Sequence, residues 1–292
     1  MGATLLDGKE IAAEIRAELA AEVKRLRDRG VVPGLGVVLV GDDPASHSYV
    51  TAKERACREI GLHSDDNRLP ADTTPEALRA VLDRLNADPA VHGILLQLPL
   101  PRHLDEAAAL TAIRPEKDVD GFHPVNIGRM MVGQDAFLPC TPHGILQMLS
   151  RRGIRTEGAH AVVVGRSNIV GKPLANLLLR KDPLGNATVT VCHTATPDLG
   201  VFTRQADILV AAAGRPNTIR ADMVKAGATV VDVGVNRVPD AGRKSGYRLV
   251  GDVDFEAVRE KAGFLTPVPG GVGPMTITML LYNTVQAAIR AA

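Results

Sequence analysis

The chain has 292 residues, enough for about two domains, and its hydrophobic fraction of 45% and charged fraction of 23% are typical of a soluble globular protein. A formal net charge of +1 argues against a nucleic-acid-binding surface as the main function, and 3% aromatic residues without tryptophan argue against stacking on bases or sugars. Three cysteines without paired or metal-binding spacing favour a reducing compartment and predict neither a disulfide framework nor a metal site.

The first half of the chain alternates between helix-like and strand-like segments. Helical periodicity covers residues 7–29, 44–60 and 75–86, and apolar runs at 34–41 and 91–101 predict buried strands. This alternation is typical of βαβ units in a parallel sheet that has helices on both faces. The first segment is a charged amphipathic helix and not a secretory leader, and the longest uncharged run contains three prolines, so we expect a cytoplasmic protein without a membrane span.

The predicted helix over residues 44–60 has Asp43 as its cap and Gly61 at its end. Its apolar stripe consists of Ala52, Ala56, Cys57 and Ile60. On the opposite side, the charged residues expected to face water are Glu54, Arg55, Arg58 and Glu59. Lys53 lies by phase in the apolar stripe, one turn after Tyr49. An amine that loses hydration favours its neutral form and can act as a base, whereas a lysine at the edge of the stripe can instead extend into water.

Two further polar residues lie where ligand-binding groups are expected. Gln97 interrupts the run GILLQLPLP near the end of a predicted strand, the place where parallel sheets present groups to ligands. The segment KDVDGFHPVN places Asp118 and Asp120 in a turn whose glycine position excludes a calcium loop. The ordinary interpretation of Gln97 is an amide at a strand end, and that of Asp120 is a turn carboxylate.

The second half of the chain predicts a small doubly wound domain. A helix is expected over 141–153, with Thr141 as its cap and Pro142 in its first turn. The later strands are predicted at 160–165, 187–193, 206–214 and 229–236, with a helix over 171–180 and a last helix from 275. The segment TPVPGGVGPMTI (266–277) is either a rigid wall for a flat ligand or an interdomain loop. A cleft between two α/β units is the natural ligand site.

A strand, a glycine turn and a helix occur in HAVVVGRSNIVGKPLANLLL. Gly165 suits the tight turn and Gly171 the close packing of the helix, although Ser167 stands where the usual pattern has its second glycine. Arg166 can meet an anion, and the next strand ends in His193 and Thr194 without the carboxylate that binds the ribose of NAD. The sequence therefore favours NADP, whereas the ordinary alternative is a βα turn with a strand-end histidine.

Several motifs occur in one order along the chain: SYVTAKERACREIGL, GILLQLPLP, KDVDGFHPVNIG, PCTPHGI, VVVGRSNIVGKP, VVDVGVN and TPVPGGVGPMT. Together they closely resemble the bifunctional methylenetetrahydrofolate dehydrogenase/methenyltetrahydrofolate cyclohydrolase family over essentially the whole chain. The resemblance implies an enzyme of one-carbon metabolism that oxidises 5,10-methylenetetrahydrofolate with NADP and hydrolyses the methenyl product to 10-formyltetrahydrofolate. It also implies a cytoplasmic homodimer that binds no nucleic acid, membrane or metal.

The resemblance also implies a fold and a set of site residues. It predicts two α/β domains, a folate-binding catalytic domain of residues 1–139 plus 274–292 and a Rossmann-like NADP-binding domain of residues 140–273. The implied catalytic residues are Lys53, Gln97, Tyr49 and Asp120. The implied cofactor contacts are Gly165, Arg166, Ser167, Thr194 and Val235. The implied folate pocket also includes Leu96, Leu98, Pro269, Gly270, Gly271, Val272, Gly273, Pro274, Met275, Thr276 and Ile277.

Three other functions compete with this interpretation. One is a monofunctional dehydrogenase without the hydrolysis step, against which the joint presence of Lys53 and Gln97 argues. Another is a non-catalytic dinucleotide-binding module, in which the polar set of the first domain would have no purpose. The third is an NADP oxidoreductase acting on a hydroxy acid, which would need a cationic anchor that the first domain does not offer. The Tyr-x-x-x-Lys spacing also occurs in short-chain dehydrogenases, but there it follows the dinucleotide fold, whereas Lys53 precedes Gly165.

Overall fold

The computed structural model describes residues 2–243 and 246–292. In chain order the strands are β1 (Thr4–Leu5), β2 (Gly34–Val40), β3 (His63–Leu69), β4 (Gly93–Leu96), β5 (His160–Val164), β6 (Thr188–Cys192), β7 (Ile208–Ala211), β8 (Thr229–Asp232), β9 (Asn236–Pro239), β10 (Tyr247–Val250) and β11 (Phe264–Leu265). The helices are α1 (Gly8–Asp28), α2 (Pro44–Ile60), α3 (Pro75–Ala87), α4 (Glu106–Ala112), α5 (Pro124–Met131), α6 (Cys140–Arg151), α7 (Gly171–Leu179), α8 (Leu199–Thr203), α9 (Phe255–Arg259) and α10 (Val272–Ala291). None of the helices within these described ranges has the length and apolar character that a bilayer span requires.

The chain forms two compact units. The first unit comprises Ala13–Cys140 and Ile277–Ala292, and the second comprises Met1–Ala12 and Thr141–Thr276. These limits differ from the predicted domains chiefly in the first twelve residues, because β1 pairs in parallel with β11 and so joins the sheet of the second unit. Two-residue strands have no periodicity of their own, and the sequence pattern therefore did not reveal this pairing.

A three-stranded parallel sheet in the order β3-β2-β4 forms the centre of the first unit. Every residue of β2 and of β4 is buried, as a strand covered on both faces requires. The predicted strand 91–101 is wrong beyond Leu96, where β4 ends and the chain continues into the cis Leu98–Pro99 bond. The edge strand β3, with the polar sequence HSDDNRL, was missed because it is largely exposed.

The predicted limits of α2 are confirmed by both of its caps. The Asp43 carboxylate accepts a hydrogen bond from the Ser46 N–H at 2.8 Å, and Gly61 adopts the left-handed conformation with φ 85°. The helix therefore presents Lys53 in the predicted phase. The expected cap of α6 was wrong, because that helix begins at Cys140 and contains Thr141.

The second unit contains a six-stranded parallel sheet in the order β1-β11-β8-β7-β5-β6. The chain passes from β5 to β6 on one side and then to β7 on the other, so the sheet is doubly wound with a switch point between β5 and β7. The predicted strand 229–236 is in fact β8, ending at Asp232, followed by β9, which pairs antiparallel with β10. In doubly wound sheets, ligands bind at the carboxyl edge near the switch point.

Candidate active site and dinucleotide site

Lys53 is buried, with only 8% of its surface exposed. Its Nζ donates a hydrogen bond to Gln97 Oε1 at 3.0 Å, and the Gln97 amide in turn donates from Nε2 to the Leu98 carbonyl oxygen at 2.6 Å. The second bond orients the amide so that its oxygen faces the lysine. The structure thus brings a helix residue and a strand-end residue, 44 positions apart, into one polar contact within the first unit.

Asp120 lies in the same electrostatic environment. Its pKa is raised, chiefly because burial disfavours the carboxylate, while the nearby Lys53 lowers this pKa and Asp118 raises it. The Cys140 thiol also hydrogen-bonds to Asp120 and lowers its pKa. Amine, amide and carboxyl group therefore form one coupled polar cluster, which we call the lysine cluster and define as Lys53, Gln97 and Asp120.

The two aspartates of the KDVDGF turn have different roles. Asp118 is buried and accepts hydrogen bonds from the backbone N–H groups of Phe122 at 3.2 Å and His123 at 2.8 Å, and from the Asn126 side chain at 2.8 Å. Asp118 is therefore a structural carboxylate that holds this turn together. The carboxyl group of Asp120 is not among the acceptors of these bonds and instead pairs with the Cys140 thiol.

Cys140 is a neighbour of the lysine cluster that sequence reasoning did not select. Burial raises the pKa of the thiol well above its ordinary value, and the charge of Asp120 raises it further. The Val119 carbonyl oxygen, 3.3 Å from the sulfur, is an alternative acceptor for the single S–H proton. Cys140 is therefore a neutral donor and not a nucleophile.

The remaining predictions for α2 and its surroundings are met only in part. Tyr49 is 45% exposed, so its ring is free to lie against a ligand one turn before Lys53. Glu54 was expected to face water, which is wrong: it is buried and pairs with Arg68 at 2.7 Å. Ala52, expected in the apolar stripe, is exposed. The missed polar strand β3 explains Glu54, because that strand supplies Arg68.

The glycine turn of the second unit requires glycine at both predicted positions. Gly165 has φ 133°, and a side chain there would place its Cβ 2.1 Å from the Ala212 carbonyl oxygen. A Cβ at Gly171 would lie 2.2 Å from the Gly165 carbonyl oxygen. The first turn of α7 thus lies directly against the loop after β5, as in the strand, glycine turn and helix predicted from the sequence.

Polar residues around this turn divide into structural and exposed groups. The Ser167 hydroxyl accepts hydrogen bonds from the N–H groups of Val170 at 3.2 Å and Gly171 at 3.4 Å, so it caps the start of α7. His193 accepts from the Ala195 N–H at 3.2 Å through Nδ1, as an ordinary turn histidine does. Arg166 and Thr194 are exposed. Arg166 is therefore the cation next to the turn, and no carboxylate occupies residues 193–197 at the end of β6.

The residues of the PGGVGPMTI stretch include exposed and buried positions. Pro269 and Gly273 are exposed, whereas Gly270, Gly271, Val272 and Met275 are buried. The Thr276 hydroxyl shares a 2.8 Å hydrogen bond with that of Thr141. A Cβ at Gly8 would lie 1.8 Å from the Gly271 carbonyl oxygen, so the stretch is packed closely against the start of α1. Pro274 lies in the first turn of α10, which begins at Val272.

Three other predicted contact residues have different exposures. Leu96 is 2% exposed and belongs to the core of the first unit, Leu98 is partly buried, and Val235 is 49% exposed after β8. Sequence reasoning also missed two buried aspartates at the carboxyl edge of the second sheet, Asp232 and Asp252. Each of these aspartates follows a short apolar run in the sequence, and that position was the signal that could have identified them.

Comparison with known proteins gives matches over both halves of the chain. The model of the tetrahydrofolate dehydrogenase/cyclohydrolase catalytic domain matches residues 6–120, and that of the NAD(P)-binding domain matches residues 139–292. Bifunctional protein FolD of Syntrophus aciditrophicus is 59% identical over 288 residues, covering 99% of this chain and 98% of the relative. Bifunctional protein FolD of Geobacillus thermodenitrificans is 58% identical over 292 residues, covering 100% of this chain and 99% of the relative.

Solved structures agree with the sequence matches. The bifunctional FolD enzyme of Campylobacter jejuni has 50% identity and a TM-score of 0.93, covering 99% of both chains. The Trypanosoma brucei methylenetetrahydrofolate dehydrogenase-cyclohydrolase, solved with NADP cofactor and inhibitor, has 42% identity and a TM-score of 0.94, covering 99% of this chain and 98% of that one. These proteins share the fold of this chain over its whole length.

Proposed function

The chain belongs to the tetrahydrofolate dehydrogenase/cyclohydrolase family, and we propose that it catalyses both reactions named there. It oxidises 5,10-methylenetetrahydrofolate to 5,10-methenyltetrahydrofolate with NADP, and it hydrolyses the methenyl compound to 10-formyltetrahydrofolate. The observation that carries this assignment is the buried Lys53 amine held at 3.0 Å by Gln97 beside Asp120. A dinucleotide-binding module without catalysis has no use for that cluster.

The second unit fits a bound dinucleotide. The close approach of Gly171 to Gly165, which no Cβ could occupy, is the tight strand–turn–helix packing that dinucleotide-binding units use. Arg166 is exposed beside the turn and supplies positive charge for a 2′-phosphate, while Thr194 supplies a hydroxyl in place of a carboxylate that would repel it. Val235 offers an exposed apolar surface after β8.

In the oxidation step, NADP when bound accepts the hydride from the one-carbon bridge of the folate. The part of this chain is to bind and orient the reactants and to exclude water. Tyr49 lies against the folate ring, and Asp120 accepts hydrogen bonds from the pterin. Leu96 and Leu98 flank Gln97 and contribute apolar surface to the folate site of the first unit. No residue of the lysine cluster needs to transfer a proton in this step.

In the hydrolysis step, water adds its oxygen to the cationic methenyl carbon and gives one proton to the amine of Lys53. The bond from that carbon to N5 then breaks, its electron pair goes to N5, and the Lys53 ammonium returns the proton to N5. The hydroxyl proton of the adduct leaves as the formyl carbonyl forms, so one proton is released per turnover. Gln97 fixes the amine through both proton transfers.

A spectrophotometric assay tests the assignment. The full-length protein is incubated with 5,10-methylenetetrahydrofolate and either NADP or NAD, while reduced cofactor and methenyl absorbance are followed together. We expect reduced cofactor to form faster with NADP and the methenyl absorbance to stay low, because hydrolysis removes it. Reduced cofactor with stoichiometric, lasting methenyl accumulation would identify a monofunctional dehydrogenase. Formation of neither product would refute the assignment.

Two further features belong to the proposal. We place the protein in the cytoplasm, since Cys57, Cys140 and Cys192 are all free and buried and suit a reducing compartment. We also propose a homodimer, as the family resemblance implies. Sedimentation at micromolar concentration should give about twice the chain mass of 30.9 kDa. A single species at the monomer mass would refute the dimer.

A further inference from the structure

Two buried aspartates lie at the carboxyl edge of the second sheet. Asp232 ends β8 and is 3% exposed, and Asp252 follows β10 and is 0% exposed. Neither takes part in the two reactions described above. Buried carboxylates are costly unless hydrogen bonds satisfy them, so the partners of these two groups indicate their role.

Asp252 connects two separate loops at this edge. Its Oδ2 accepts hydrogen bonds from the N–H groups of Ala213 at 2.6 Å and Gly214 at 2.8 Å, which lie just after β7. Its Oδ1 accepts from the Asn236 side chain at 2.9 Å, at the start of β9. One carboxylate therefore fixes the loop after β7 and the loop after β8 relative to each other.

Asp232 holds Asp252 in place. Its Oδ1 accepts from the N–H groups of Gly234 and Asp252, both at 2.9 Å, and its Oδ2 accepts from the Val253 N–H at 3.0 Å. Glycine is required beside each carboxylate: a Cβ at Gly251 would lie 1.8 Å from Asp232 Oδ2, and one at Gly234 would lie 2.2 Å from Asp252 Oδ1. The two carboxylates thus occupy a site shaped for them.

The loop that Asp252 holds is in contact with the glycine turn of the cofactor site. A Cβ at Gly165 would lie 2.1 Å from the Ala212 carbonyl oxygen, so the loop after β7 packs directly against Gly165. Gly165 in turn lies against Gly171 at the start of α7. Ala212 directly precedes the two N–H groups bound by Asp252. A shift of the loop after β7 must therefore move or open the turn that faces the pyrophosphate.

We propose that Asp252, supported by Asp232, is a positioning residue for NADP binding: it fixes the loop after β7 against the dinucleotide turn and orients the loop that carries Val235. This inference rests on the proposed NADP-dependent oxidation. It concerns the second unit only, so hydrolysis of the methenyl compound, which needs no cofactor, reports separately on the lysine cluster.

The test uses full-length variants and both activities. Asp252→Ala removes three accepted hydrogen bonds, whereas Asp252→Asn keeps an oxygen that can accept from Ala213 and Gly214. We expect Asp252→Ala to raise the KM for NADP at least tenfold, with cofactor-free hydrolysis within twofold of wild type, and Asp252→Asn to keep that KM within about threefold. Asp254→Ala, a partly exposed aspartate in the same segment without a side-chain cap bond, is the matched control and should leave both activities unchanged.

Asn236→Ala provides a second route if Asp252→Ala does not fold, because it removes the side-chain donor that holds Asp252 Oδ1 and leaves both carboxylates in place. It should also raise the KM for NADP. An unchanged KM in the folded variants, or equal losses of oxidation and hydrolysis with no change in that KM, would overturn the positioning role. A wild-type protein without NADP-dependent oxidation would instead refute the proposed function itself.

Discussion

Replacing Gln97 by leucine removes the acceptor that lies 3.0 Å from Lys53 Nζ and puts an apolar side chain of similar length in place of the amide. Since Lys53 is only 8% exposed, water is a poor substitute for the lost amide oxygen. A buried donor without its partner costs about 1–3 kcal/mol. If the same loss applies to the transition state of hydrolysis, the rate falls by roughly 5- to 150-fold.

The assay for this variant follows the disappearance of methenyltetrahydrofolate without cofactor, and a separate titration gives the dissociation constant for NADP. We expect the hydrolysis rate to fall within that range and NADP affinity to stay within twofold. Gln205→Leu is the control, because Gln205 is an exposed amide that bonds only to the Val201 carbonyl oxygen within its own helical region. A fall in hydrolysis of less than twofold, or an equal loss of NADP affinity, would refute the role given to Gln97.

Two further predictions concern the second unit. Arg166→Ala should weaken NADP binding by roughly tenfold and NAD binding by less than twofold if the exposed guanidinium has the proposed role of binding the 2′-phosphate; equal losses in both titrations would contradict this role. The pKa of Asp232 is raised from 3.8 to about 6, chiefly by burial and further by the facing Asp252, while three backbone N–H groups lower it. Because the folded state therefore holds this proton more tightly, the stability of the wild type relative to Asp232→Asn should fall as pH rises from about 4 to about 6, by about 3 kcal/mol. Urea unfolding of wild type and Asp232→Asn across this range measures the difference between their free energies of unfolding. A wild-type advantage that grows with pH would contradict the prediction.

Helical phase was the most informative pattern in the sequence. The 3.6-residue period placed Lys53 in the apolar stripe once Asp43 and Gly61 had set the limits of α2, although it left open whether the side chain is buried or extends into water, and it misplaced Ala52 and Glu54. The parallel sheets followed in the same way from apolar runs covered on both faces, as in β2 and β4.

Features that depend on tertiary contacts could not be read from periodicity. The burial of Glu54 depends on Arg68 from a polar edge strand, and the placement of the first twelve residues depends on a two-residue pairing. Ser167 lies in the cofactor turn, yet its hydroxyl is engaged in capping α7. Asp252 gains its role only from N–H groups about 38 residues away in the sequence. In each case the deciding partner lies outside any local window.

The Lys53→Met variant tests the account most directly, since it removes the amine and keeps an unbranched side chain of similar size. Hydrolysis of methenyltetrahydrofolate and NADP affinity are measured on the same preparation, with Lys24→Met, an exposed lysine of α1 paired with Asp28, as the control. The account predicts that hydrolysis becomes undetectable while the dissociation constant for NADP stays within twofold. Hydrolysis at more than a tenth of the wild-type rate would contradict a proton-carrying role for Lys53.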